Sequence, residues 1–132
     1  MNFEQQMMAI KKKAEQAADK AHRATVLQLT SAVVYGTPVD TGRAKGNWVA
    51  SIGEPARGYS EDKIDRDGGA TINSANGQIS VSFGKKYYLT NNVPYIGFLE
   101  YGTINRPAIR FVEKAVQEFN SAYEKNLKNA AR

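Results

Sequence analysis

Residues 37–48, TPVDTGRAKGNW, stand between a long helical pattern and strand-like sequence, and they limit how the two can meet. Pro38 fixes its own φ and biases Thr37 away from helix, so the preceding helix is expected to end by about Gly36. Asp40 or Thr41 can cap a new helix start by accepting from free backbone N–H groups. Gly42 permits a tight turn, and Gly46 suits a left-handed position closing a one-turn helix. Trp48 then opens an apolar, β-favouring run. The stretch reads as a hinge that sets a long helix at a fixed angle to a sheet.

The chain has 132 residues, enough for one domain with a real core. At 42% apolar and 23% charged residues its composition is globular, which argues against a wholly disordered chain. There is no cysteine, which excludes disulfides and thiolate metal sites. The start, MNFEQQMMAIKKK, lacks the basic-then-apolar order of a secretory signal. No apolar run approaches the roughly 20 residues that span a bilayer. The expectation is a protein made and used in solution, in a reducing compartment or inside an assembly, with no membrane partner. The net charge is +5 and is spread out, with an acidic excess only in residues 54–70. Nucleic-acid binding would prefer a concentrated basic stripe. The one run, Lys11, Lys12 and Lys13, points in different directions on a helix and reads as a solvated face.

Residues 2–36 read as one helix, broken at most once. Phe3, Met7, Ile10, Ala14, Ala17, Ala21 and Ala24 recur in steps of four and three, so they share a face with a mean repeat near 3.5. After Ala24 the stripe strengthens into Val26, Leu29, Thr30 and Val33, which reads as core. Such a helix would be roughly 50 Å long, at 1.5 Å per residue. A compact chain of this size is only roughly 35–40 Å across. The helix therefore either bends near residues 21–25 or leans its first half, residues 1–24, on another subunit; the second is the expectation.

Residues 48–53, WVASIG, alternate as a strand does. Residues 54–76 have the composition of a long exposed loop, expected to order on contact with a partner, with Tyr59 and Ile64 as candidate contact residues. Residues 77–84, GQISVSFG, are expected to be the clearest strand, Ile79, Val81 and Phe83 on one face, paired antiparallel with 47–53. YYLTNN is a further short β-like run. In residues 91–103, NNVPYIGFLEYGT, Pro94 suits the first turn of a helix with Asn92 near its N-cap, and Gly102 can end it. Tyr87, Tyr88, Tyr95, Phe98 and Tyr101 make this the aromatic centre, suited to a core near the surface or to a protein interface. Pro107 is expected to start a last helix whose stripe of Ala108, Val112, Ala115, Val116, Phe119, Ala122, Tyr123 and Leu127 packs on the sheet. The whole reads as one α+β domain over residues 1–132: a long N-terminal helix and a C-terminal helix packed on a small, mainly antiparallel β-sheet, with a long exposed loop.

Chemistry-bearing patterns are absent. The single histidine, His22, sits mid-helix, so a nucleophile–base pair could form only through it. Zinc lacks nitrogen and sulfur ligands here. Asp65, Asp67 and Gly68 faintly suggest a calcium loop, but that register puts Lys63 first and Ser74 where a bidentate Glu is needed. No nucleotide-cradling glycine motif occurs. The expectation is no enzyme, no cofactor and no metal.

Taken together, TPVDTGRAKGNW, then TNNVPYIGFLEYGT, then a Pro-initiated final helix resemble the tail-completion (neck, head-to-tail joining) proteins of tailed bacteriophages. The resemblance runs from about residue 20 to 125. It rests on Pro38, Val39, Asp40, Thr41, Gly42, Arg43 and Trp48, and on Asn91, Asn92, Pro94, Tyr95, Glu100, Tyr101 and Gly102. TINRPAIRF after Gly102 departs from the longer polar insert of many relatives. The resemblance implies a small α+β protomer working in a homo-oligomeric ring, commonly of six. It implies a structural virion protein that completes the tail and joins it to the DNA-filled head. Partners would be head-side connector or adaptor proteins and the tail tube or tail-terminator protein. Genomic DNA in the lumen would be touched only transiently, at phosphates. The chain would reside in the virion, and in the host cytoplasm during assembly. Within that reading the candidate interface residues are Phe3, Met7, Ile10, Tyr59, Ile64, Tyr87, Tyr95 and Phe98. The alternatives are a tail-terminator or tail-tube subunit, or a small basic nucleic-acid-binding domain.

Overall fold

No proline and no glycine interrupts residues 3–35, and the computed structural model carries one unbroken helix, α1, over Phe3–Gly36. The structure describes residues 2–39 and 41–131; Asp40, and with it the capping role expected of it, lies outside them. Asn2 and Gln5 form a capping box at the start of α1, the Asn2 side chain accepting from the Gln5 N–H and the Gln5 side chain accepting from the Asn2 N–H. The helix ends at Gly36, as Pro38 requires, and runs without a break through residues 21–25.

The fold is α+β. Among the described residues α1 is followed by α2 (Arg43–Gly46), β1 (Val49–Ile52), α3 (Gly69–Ile79), β2 (Tyr87–Thr90), α4 (Ile96–Tyr101), α5 (Phe111–Gln117) and α6 (Phe119–Ala131). The strands pair antiparallel, Val49 opposite Thr90 and Ile52 opposite Tyr87. Ala50, Leu89 and Tyr87 face the core.

That core is two apolar clusters strung along the second half of α1. Val26, Ala75 and Ile79 form one, with Leu27, Ala50 and Tyr87 against it. Val33, Phe111 and Ala115 form the other, with Leu29, Trp48, Leu89 and Leu99 packed around them. The second-half stripe of α1 is thus core, as its side chains imply.

Three expectations fail, each for a stated reason. Residues 77–84 are not a strand. Thr71, Ala75 and Ile79 recur at helical spacing and bury one face of α3, while Val81 and Phe83 are exposed beyond its end. The strand that pairs with β1 is Tyr87–Thr90. Residues 54–76 are not loop throughout. Their last third is α3, and the rest is tied to the protomer by side chains described below. The last helix does not begin at Pro107 and is not single. It starts at Phe111 and breaks at Glu118.

Only α5 packs at the sheet; α6 runs back along α1. Phe119 lies beside Leu29 and Ala32, Asn126 donates to Thr25 Oγ1 and Gln28 Oε1, and Ala130 and Ala131 reach Ile10 and Ala17. The antiparallel α6 covers the middle of α1, and Ala21 is 0% exposed. The projecting part is therefore shorter than residues 1–24, and takes in the exposed turns that carry Phe3, Met7, Met8 and Ile10.

Candidate functional site

The two stretches singled out in the sequence fold against each other and are joined by named hydrogen bonds. Thr37, at the end of α1, donates its hydroxyl to Val33 O at 2.7 Å and accepts from Trp48 Nε1 at 2.8 Å. Trp48 meets Phe111 edge to face, with centroids 6.4 Å apart. One half-buried indole thereby joins the end of α1, the start of β1 and α5. Thr41 accepts from the Arg43 N–H at 3.2 Å, and Gly42 turns the chain at φ 92° into α2. Gly46 does not take the left-handed conformation expected of it. It is the last residue of α2, and a Cβ there would lie 2.7 Å from Lys63 O. Its role is close approach, not backbone freedom.

Asparagines do most of the joining. Asn47, buried, donates to Arg43 O and Ser60 O, and accepts from the Ser60 N–H. Asn91 donates to Ala44 O at 2.7 Å and accepts from the Val93 N–H, linking the second stretch to α2. Asn92 is not near a helix N-cap. It donates to Ala56 O and Gly58 O, while Tyr95 takes the cap position of α4 and Pro94 lies in the exposed turn before it. With Arg43 Nε donating to Glu61 O and the Asp65 N–H to Gly42 O, these contacts pin residues 56–65.

Glu100, near the end of the second stretch, has a bonding role of its own. It is 7% exposed, and its carboxylate accepts from the N–H groups of Val112 and Glu113 at 2.9 and 3.0 Å. A buried anion thus caps α5 from another helix, where the free N–H groups and the dipole favour negative charge. Gly102 ends α4 at φ 79°, with Ala108 N 2.7 Å from where a Cβ would sit. Arg110 begins α5 with φ 55°, the one non-glycine positive φ among the described residues. Its guanidinium bonds Glu113, which together with that residue's charge holds its pKa above the ordinary arginine value.

A second acidic cap closes the loop. Asp65 accepts from the Gly68 N–H, the Thr71 N–H and the Thr71 hydroxyl at the start of α3. Burial raises its pKa, but the bonds from Thr71 and Gly68 outweigh that and hold it below the usual carboxylate value. The residue that faintly suggested calcium is spent on helix capping. No group of metal-ligating side chains is assembled among the described residues.

The remaining candidates fall on different surfaces. Phe3, Met7 and Ile10 are exposed on the projecting end of α1, Phe3 at 76%. Tyr59 and Ile64 are exposed on the pinned loop, and Phe98 and Tyr101 on α4. Tyr87 is half-buried. Its ring packs in the core and its hydroxyl meets Thr30 Oγ1 at 2.8 Å, burial pushing its pKa up against that hydrogen bond. Tyr95 lines a cleft between the two stretches.

His22 does find a serine. Its Nε2 lies 2.8 Å from Ser82 Oγ, and its ring meets Phe83 edge to face. Ser82 is 0% exposed and donates to Ile79 O. A nucleophile needs an approaching substrate, and this hydroxyl has no open side. The pair fastens the end of α3 to α1.

Among the described residues no helix is long and apolar enough to cross a membrane. No known protein family, no characterised protein and no solved structure matches the chain.

Proposed function

We propose that this chain is a structural virion protein of the phage neck or tail end. It forms a ring, most simply of six copies, that completes the tail and joins it to the DNA-filled head. One side of the ring would meet head-side connector or adaptor proteins, and the other the tail tube or tail-terminator protein. Contact with DNA in the lumen would be transient. Catalysis has no part in this role.

The observation that carries the reading is the pair of stretches on which the resemblance rests. Asn91 bonds α2, Asn92 and Asn47 hold the intervening loop, and Glu100 caps α5. Their residues are therefore parts of one bonded frame, so their joint occurrence has a common physical reason. A second support is the projecting end of α1, where Phe3, Met7, Met8 and Ile10 are exposed together. Such a patch, if left in water, is a liability that a neighbouring subunit removes. A ring needs a heterologous interface that closes by rotation.

Native mass spectrometry and cryo-electron microscopy of the full chain test the reading. A closed homo-oligomer is expected, and particles lacking the protein should show unjoined heads and tails or aberrant tail ends. A strictly monomeric chain together with normal particles in its absence would overturn it. Labelling within the particle separates this position from that of a tail-terminator or tail-tube subunit.

A further inference from the structure

A cleft of about 550 Å³ opens between the two stretches, within the size range of pockets that hold ligands. Val39, Ala44 and Leu99 supply apolar lining, and Arg43, Arg106 and Tyr95 supply polar lining. Neither arginine has a carboxylate within ion-pair distance among the described residues, where the pairs are Lys11–Glu15, Arg23–Asp19 and Arg110–Glu113. Arg43 gives its Nε–H to Glu61 O at 3.3 Å, which leaves the rest of its donors free. Arg106 bonds Thr103 through backbone only, so among the described residues its guanidinium has no partner.

We infer that this cleft is a docking site for an extended acidic segment of a partner protein. A carboxylate of the segment engages Arg43 and Arg106, and an adjacent apolar side chain lies against Val39 and Leu99. The charge of the two guanidiniums selects the anion, and their planar donor forks match a carboxylate. The apolar lining selects a side chain beside that anion, which a phosphate backbone does not carry. Nucleic acid would favour a longer basic stripe over two cations in an apolar cleft. The surroundings point to a protein and not a small molecule. Phe98, 62% exposed, and Tyr101 are exposed on α4, the helix that carries Leu99, and Ile104 is exposed on the turn that carries Arg106. Arginine and tyrosine, which line the cleft, are among the residue types on which protein interfaces concentrate their binding energy. The site is independent of the ring, so it stands or falls separately from the function proposed above.

The test is a titration of the isotope-labelled full chain, followed by NMR, with short capped peptides in which Asp or Glu adjoins Leu or Phe. Peptides with Lys for the acid, peptides with Ala for the apolar residue, and a duplex DNA oligonucleotide form the other arms. The acidic–apolar peptides are expected to shift amides in residues 38–44 and 95–106. Arg106→Gln should weaken them about tenfold or more. That side chain makes no hydrogen bond among the described residues, so the variant should keep its thermal midpoint. The inference is overturned if no peptide shifts those amides, or if Arg106→Gln binds as well as the parent. It is equally overturned if the Ala peptides bind as tightly as the apolar ones, or if DNA occupies the cleft in preference to peptide.

Discussion

Glu100 shows how much one side chain holds in this chain. Its carboxylate is buried and satisfied by two N–H donors at the start of α5, so removing it leaves both donors without a partner. Glu100→Ala is expected to destabilise by about 2 kcal/mol, from the loss of charge-assisted bonds and of a helix cap. Chemical denaturation reads this as a lower midpoint with an unchanged slope. Gly46 makes the opposite kind of case. In an isolated helix Gly→Ala gains up to about 1 kcal/mol. Here the new Cβ would stand 2.7 Å from Lys63 O and 3.0 Å from Asp65 N. Gly46→Ala should therefore lower the midpoint; a rise would mean that the loop yields freely. Asp65 supplies a pH test. Its folded pKa lies below the ordinary aspartate value, so near that value the unfolded chain binds more protons than the folded one. Its contribution is present above the unfolded pKa and is lost as pH falls through the folded value. Stability measured from pH 6 downward should fall in the acid range below about pH 4. Asp65→Asn should be less stable near neutrality and show a shallower acid loss.

At the level of elements, the chain is a set of joints around α1. The tip of that helix carries its apolar residues in water and lies beyond the end of α6. Deleting residues 2–8 should leave the denaturation midpoint of the monomer within about 0.5 kcal/mol, as for surface changes in general. The same deletion should shift sedimentation toward the monomer if the tip serves a neighbour. An unchanged assembly would clear the tip of that role. The other end of α1 is fixed differently, by the Thr37–Trp48 bond and the Trp48–Phe111 contact. At two elements local pattern and packing disagree. Ile79, Val81 and Phe83 alternate as a strand does. Yet Ile79 is the last member of a helical triplet with Thr71 and Ala75, started by the Asp65 cap. Gly77 and Asn76 weaken the helical signal, and nothing local says that Val81 and Phe83 will stay in water. The break at Glu118 is likewise silent in the stripe from Ala108 to Leu127. It allows α5 to meet the sheet while α6 turns along α1.

For the molecule as a whole, the two apolar clusters share α1, and Trp48 ties the second of them to the sheet. Trp48→Ala should cost roughly 3–5 kcal/mol, as large aromatic truncations in cores do. Unfolding should stay a single transition seen at the same midpoint by fluorescence-independent probes such as far-ultraviolet circular dichroism. A small loss would place Trp48 at the edge of the core. What the amino-acid order determined alone was whatever depends on near neighbours. It set a helix that stops before Pro38, a short strand after Trp48, a stop at Gly102, an amphipathic C-terminal region and the α+β class. Only the tertiary structure decided the partners. It chose β2 over 77–84 as the mate of β1, seated Tyr87 in the core, bound residues 56–65 through Asn47 and Asn92, and brought Arg43 and Arg106 to one cleft. Each of these contacts joins residues far apart in the chain. Their energy comes from burial and hydrogen bonding across that separation, which local pattern does not encode.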